Sequence, residues 1–197
     1  MATTLLEYFN ELRDQNPFSW VKDSEVTVVE PGHAEMTLQT NETEYCNFRG
    51  HLHGAVCIGF ADSLMGTACF TLGKSVSTID INGNYLKAVK GGTVLRGVAN
   101  VEHSGKTTMV ATARIYNELG EVVHIARGTF FVVEERPLPD LPWRFIEEDE
   151  SGKFRFFRLH LTFFRLHGTG TGSNLHKAIQ QFLHTEIIQC RTEEHRS

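Results

Sequence analysis

The 197-residue sequence has no CxxC pair and no His/Cys grouping at metal-ligand spacing, because its four cysteines, Cys46, Cys57, Cys69 and Cys190, are scattered. No metal site is expected. Cys57 and Cys69 fall in an apolar stretch where a reduced thiol behaves as a small hydrophobe, which points to a reducing compartment. Also lacking are a glycine-rich phosphate loop, a serine-centred elbow and a dinucleotide fingerprint. Serine-hydrolase and dehydrogenase chemistry lose their support, and no cofactor is expected. Basic charge is missing where a nucleic acid would need it. Of the net charge of −5, residues 151–197 hold seven Lys and Arg against three Glu, leaving the tail at +4 and the first 150 residues at −9. An acidic main domain argues against nucleic-acid binding, since phosphate contacts need clustered Lys and Arg. The first twenty residues mix helix formers with Glu7, Glu11, Arg13 and Asp14 and lack the basic start and apolar core of a signal peptide. A cytoplasmic protein is expected.

What the chain does have is an apolar run from Ala55 to Leu72 in which Asp62 is the sole charge. The run approaches membrane-span length, but Asp62, Gly59, Gly66 and two threonines make it a poor span, and a helix wrapped inside a sheet is the better reading. A carboxylate on such a helix must find a partner, shift its pKa or do chemistry, because an isolated buried charge costs several kcal/mol or more. A structural, paired Asp62 is the plain alternative. Short β-rich runs at Ser24 to Val29 and His33 to Thr40 are separated by Pro31-Gly32. After the helix come Ser75 to Leu86, Thr93 to His103, Thr107 to Tyr116 and Val122 to Val133, divided by Gly91-Gly92, Ser104-Gly105 and Asn117 to Gly120. This reads as four strands in a meander, sequence neighbours pairing antiparallel, with the helix covering the apolar face: an α+β domain.

Four segments stand in order along the chain: Asn47-Phe48-Arg49-Gly50-His51-Leu52-His53-Gly54-Ala55, then Asp62-Ser63, then Ile81-Asn82-Gly83-Asn84-Tyr85-Leu86, and Gly128-Thr129-Phe130-Phe131-Val132-Val133. Together they resemble the hot-dog acyl-CoA thioesterases of the phenylacetate-pathway (PaaI) type. The resemblance covers roughly Val28 to Glu134 and implies an antiparallel sheet wrapped around a long helix, hydrolysing an acyl-CoA to free acid and CoA. The family has His-Gly-Gly where this chain has His53-Gly54-Ala55. Its oxyanion donor is the backbone N–H of the first glycine, so Ala55 is tolerated.

The residues support that chemistry. Gly54 opens the helix, where an unsatisfied N–H and the helix dipole favour negative charge on a bound carbonyl oxygen. Eight residues separate Gly54 from Asp62, roughly 12 Å along one helix. Attack requires about 3 to 3.5 Å, so one chain cannot bring both to a single carbonyl. If both serve one reaction, Asp62 must come from a second subunit on an antiparallel helix, in a two-fold dimer with two composite sites. The resembling family is built this way, as a homodimer or a dimer of dimers (homotetramer). Asp62 acts as general base on water or as nucleophile forming a mixed anhydride, two roles the sequence does not separate.

By resemblance, Asn47 orients the thioester or water and Thr78 helps position the water, although an Asn serves equally as a turn former and a Thr as a good strand residue. His53 shapes the loop, with Ala55 and Ser63 of the same motifs beside the substrate. Lys87, Lys90 and Lys106, at strand ends and turns, are candidates for the CoA phosphates, against the plain reading of solvated cations.

Residues 1–140 are expected to form the hot-dog domain and 141–197 a C-terminal extension. Glu147 to Glu150 reads as solvated linker. Phe156-Phe157-Arg158-Leu159-His160 recurs as Phe163-Phe164-Arg165-Leu166-His167, a basic amphipathic stretch if helical, and Asn174 to Ile188 reads as a second helix. Membrane contact by this tail is weighed against a poorly ordered segment. Two rivals to the thioesterase stay open: a non-catalytic acyl-CoA-binding module, and an enoyl-CoA hydratase on the same fold, whose paired Asp/His motif is not found.

Overall fold

The computed structural model describes residues 2–16, 23–143, 147–148 and 154–155. Two compact units divide the chain, Met1–Phe145 and Ile146–Ser197. The first contains α1 (Leu5–Asp14), β1 (Ser24–Glu30), β2 (His33–Gln39), α2 (Gly54–Phe70), β3 (Lys74–Tyr85), β4 (Val94–Ser104), β5 (Thr108–Tyr116) and β6 (Val122–Glu135). Every one of the six strands was expected from β-branched runs bounded by turn residues. At the Pro31-Gly32 turn, Gly32 takes φ +74°, a left-handed conformation that glycine adopts without steric cost.

The sheet order is β1-β2-β4-β5-β6-β3, and every described pairing within it is antiparallel. This corrects the four-strand meander. Of the four strands after α2, only β4, β5 and β6 follow one another as neighbours, while β3 pairs with β6 at the far edge and β4 pairs with β2. Residues 86–93 leave the end of β3 and cross over to β4. Short loops favour neighbouring strands but do not force them. Three strand spacings of about 4.8 Å are well within the reach of an eight-residue segment at roughly 3.3 Å per residue. Val89 anchors the crossing: it is buried, and its carbonyl accepts from Leu52 N–H at 2.8 Å.

α2 lies against the inner face of the sheet. Phe60, Ala61, Leu64, Met65, Ala68 and Cys69 are fully buried among Leu38, Leu95, Met109, Ile115 and Phe130. Burial of one such Phe or Leu contributes about 1.5–3 kcal/mol. Close approach of helix to sheet depends on Gly97 of β4, where a Cβ would stand 2.6 Å from Leu64 Cδ2 and 3.0 Å from Phe60 Cε1. Packing of this unit continues beyond residue 140. Leu141 and Trp143 rest on the core, and the Pro142 and Trp143 carbonyls accept from the N–H groups of Leu5 and Leu6 at 2.7 and 3.3 Å.

In the second unit, β7 (Glu147–Glu148) pairs antiparallel with β8 (Phe154–Arg155). The expected linker at Glu147 and Glu148 is therefore partly strand, since pairing is decided by the facing segment rather than by an acidic run alone. The duplicated Phe-Phe-Arg-Leu-His segments and the expected helix from Asn174 lie outside the described residues. No helix among the described residues is long and apolar enough to cross a membrane.

Candidate active site

The loop before α2 is tied into a fixed shape. Cys46 bridges to Leu52, and His51 bridges to Lys90. Asn47 N–H donates to the His51 carbonyl at 2.8 Å, and Gly50, at φ +72°, makes the turn. The Asn47 side-chain oxygen accepts from the N–H groups of Arg49 and His51 at 2.9 and 3.4 Å, so it does serve as a turn former. Its amide nitrogen has no hydrogen-bond partner among the described residues and remains available to a ligand.

His53 is the N-cap of α2. Its extended backbone (φ −65°, ψ 137°) carries an N–H that donates to the Tyr45 carbonyl at 2.8 Å, and its Nδ1 accepts from Ala55 N–H at 3.3 Å. Ala55 N–H and Val56 N–H are therefore engaged, the latter with the His53 carbonyl at 2.9 Å. The Gly54 N–H has no acceptor among the described residues. It points the positive end of a 17-residue helix at whatever approaches. The bare α-carbon has a second use. A Cβ at Gly54 would stand 3.1 Å from Cζ and from Oη of Tyr85, so the tyrosine already fills the space that a side chain would take.

Asp62 lies further along α2 and is half-buried rather than buried as expected, because the neighbouring β3 is a sheet edge with Thr78, Ile79 and Asp80 all exposed. It has found a partner: the Thr78 hydroxyl donates to Asp62 Oδ1 at 2.7 Å. The two residues come together across sixteen positions of sequence. A β-bulge between Thr78 and Asp80 interrupts the pairing with β6 just past this point.

The remaining candidates are dispersed. Ala55 is exposed and Ser63 half-buried, both on α2. Lys87 is held by Glu121 at 2.5 Å. Lys90 is exposed beside the His51 bridge, at the end of the sheet where α2 begins. Lys106 sits in the turn after β4, at the opposite end of that 11-residue strand, roughly 30 Å from Lys90. Within one chain the structure thus joins Asp62 with Thr78, and Asn47 and His53 with Gly54, and keeps the two groups apart. Sequence reasoning assigned nothing to Tyr85, which packs on Gly54, or to His124, which packs on Tyr85. Tyr85 stood in the resembling motif as a quoted letter, and His124 carried no signal beyond a polar residue in an apolar strand. Among the described residues no group of three or more His, Cys, Asp or Glu side chains is placed to hold a metal ion.

A free N–H at a helix terminus and a carboxylate braced by a hydroxyl are the parts that hydrolysis of an activated acyl group requires. The family model of the thioesterase superfamily matches residues 49–124. The chain is 32% identical over 90 residues to the putative esterase ComA2 of Bacillus subtilis, covering 44% of this chain and 71% of that protein. It is 30% identical over 115 residues to the 1,4-dihydroxy-2-naphthoyl-CoA hydrolase of Listeria monocytogenes, covering 57% and 92%. Among solved structures, a hypothetical thioesterase with coenzyme A from Streptococcus pneumoniae is 28% identical, with a TM-score of 0.60 over 64% of this chain and 98% of that one. The Escherichia coli PaaI protein shares the fold at 20% identity and a TM-score of 0.62, over 68% of this chain and 99% of that one. The chain belongs to the thioesterase superfamily and has its hot-dog fold. It is a thioester hydrolase.

Proposed function

We propose that the protein hydrolyses an acyl-coenzyme A thioester to a free carboxylic acid and coenzyme A, at a site completed by a second copy of the chain. The observation that carries this reading is the unengaged Gly54 N–H at the start of α2, with Asp62, held by Thr78 of β3, on the same helix roughly 12 Å further along. Gly54 of one protomer receives the thioester oxygen as negative charge develops. Asp62 of the other takes a proton from water, which attacks the carbonyl carbon as the C–S bond breaks, and the coenzyme A thiolate then picks up a proton. Thr78 occupies Asp62 Oδ1 and leaves the second oxygen for the water. Direct attack by the same carboxylate would use the same placement. Asn47 presents its amide to the thioester, while Ala55 and Ser63 line the approach. His53 holds the loop by its backbone and Nδ1.

The substrate class is supported by the Listeria relative, a 1,4-dihydroxy-2-naphthoyl-CoA hydrolase, and by the pneumococcal thioesterase with coenzyme A. Further structures of a hypothetical thioesterase from that Streptococcus, each 29% identical, with TM-scores of 0.55 and 0.54, carry an aspartate-to-alanine and a threonine-to-alanine substitution. These lie sixteen positions apart, the separation of Asp62 and Thr78. The second copy is supported by β3, an edge strand of 12 residues, where Ile79 and Tyr85, and Leu86 just past its end, are each more than half exposed. A long open edge with apolar side chains is a template for pairing with another chain. Lys90 and Lys106 offer cations to the coenzyme A phosphates, and Lys87 does so if released from Glu121. Buried free thiols at Cys57 and Cys69 fit a cytoplasmic setting.

The test is Asp62→Asn, which preserves shape and hydrogen bonding but removes the base. Turnover on the best substrate from a panel of aryl, short-chain and long-chain acyl-CoAs should fall by roughly 10² to 10⁴ with little change in affinity. Near-normal thiol release by a folded Asp62→Asn protein would defeat this assignment.

A further inference from the structure

His124, on β6, is completely buried, and neither of its ring nitrogens has a hydrogen-bond partner. The Asn84 backbone favours the charged ring without reaching hydrogen-bond geometry, and burial, the larger effect, holds the imidazole below the ordinary histidine range. An unsatisfied polar side chain in a core is destabilising, and an aliphatic residue would avoid that cost. Its surroundings are specific. Tyr85 is its cross-strand neighbour on β3, and the two rings stand 4.6 Å apart at 43°. Ile115 faces it from β5. Gly83 leaves the necessary room, since a Cβ there would be 2.7 Å from His124 Cε1, 2.8 Å from Nε2 and 2.8 Å from Ile58 Cδ1 of α2. The imidazole is therefore wedged between β3 and the opening turns of α2. Its titratable neighbour Tyr85, and Cys57 of α2 near that tyrosine, are both pushed up by burial, Cys57 to about 11, and so both are uncharged at neutral pH.

Tyr85 carries this packing to the helix terminus. Its hydroxyl donates to the Gly54 carbonyl at 2.9 Å, and its ring fills the space over the Gly54 α-carbon. We propose that Tyr85 and His124 are positioning residues for the oxyanion-binding turn: the Tyr85 hydroxyl holds Gly54 in register, and the His124 imidazole seats the Tyr85 ring. The proposal rests on reading Gly54 as the oxyanion donor. The phenol fixes the carbonyl end of the residue whose N–H receives the thioester oxygen, so loss of the hydroxyl loosens an interaction made in the transition state rather than in substrate binding.

The experiment compares Tyr85→Phe, His124→Leu, the double variant and Asp62→Asn in the full-length protein, on the best acyl-CoA of the panel. Tyr85→Phe removes only an oxygen from a side chain that is 55% exposed, so thermal unfolding should not move. Its kcat should fall about tenfold with KM within about twofold, the size expected for one hydrogen bond lost from the transition state. His124→Leu, which keeps the site filled, should lower kcat similarly. The double variant should be no slower than the slower single, because both act through one contact. A purely structural role would instead shift the melting temperature or KM, or give multiplied losses. Wild-type kcat in Tyr85→Phe overturns the proposal, as does a double variant showing the product of the two losses. If Asp62→Asn is inactive in the same series, such a result leaves the site reading standing. If Asp62→Asn is itself fully active, both the site reading and the proposal fall. Should His124→Leu not fold, Tyr85→Phe alone decides.

Discussion

Subunit complementation is the sharpest test of the composite site. Gly54 and Asp62 share one helix and are separated by eight positions, which at about 1.5 Å per residue is roughly 12 Å. A water activated at Asp62 must stand about 3 to 3.5 Å from the carbon it attacks, while the carbonyl oxygen lies within hydrogen-bond reach of Gly54 N–H. The separation is several times what a shared reaction centre tolerates, and α2 is packed along its length against the sheet, so helix bending does not close the gap. An Asp62→Asn chain and an Asn47→Ala chain should each be inactive alone. When subunits are exchanged at equal amounts, about half the dimers are mixed, and each mixed dimer has one site with both lesions and one with neither. Recovered activity should approach about a quarter of wild type. The assay is thiol release after exchange, with mixed dimers confirmed by differently tagged chains. If confirmed mixed dimers stay as inactive as both parents, Asp62 and Gly54 serve the same chain or different purposes, and the two-subunit geometry is refuted.

Thr78→Val keeps the shape of an exposed strand residue but removes the 2.7 Å bond to Asp62, so kcat should fall about tenfold with an unchanged melting temperature, and equal turnover would mean that the hydroxyl does not brace the carboxylate. His33 is opposed by burial, but Glu35, Asn100 and Glu30 outweigh it and raise its pKa above the ordinary value of about 6.5. The folded state therefore binds the proton more tightly than the unfolded chain. The stabilisation is fully present below about pH 6.5 and is lost as pH rises through the folded value. The difference in unfolding free energy between wild type and His33→Gln should accordingly shrink on going from pH 5.5 to 8.5 in chemical denaturation, and a difference that grows with pH would reverse the assignment. Removal of residues 145–197 should leave thioester hydrolysis and self-association intact, because α1, the six-stranded sheet, α2 and the segment to Trp143 form one core. Loss of folding or turnover in the truncated chain would show that the extension completes the domain.

Local chemistry determined the elements of this protein. β-branched runs between Pro31-Gly32, Gly91-Gly92, Ser104-Gly105 and Asn117 to Gly120 became the expected strands within a residue or two at most ends, and the apolar run became α2, because side-chain sterics and turn conformations act over a few residues. Asp62 stood out for the same kind of reason, as the sole charge on an apolar helix. The motif order was sufficient to suggest the family, and with it Gly54 and Asn47. Tertiary structure decided the pairings. That β3 joins β6 at the sheet edge rather than β4 depends on which faces can wrap α2, a property of the whole sheet that no loop length contains. The edge in turn leaves Asp62 half-buried and brings Thr78 to it across sixteen positions. Likewise, nothing local says that Gly83 makes room for His124, or that Tyr85 reaches the Gly54 carbonyl. Those contacts join segments that touch only when the helix closes onto the sheet, and sequence patterns report each residue's preferred surroundings without naming the partner that will supply them.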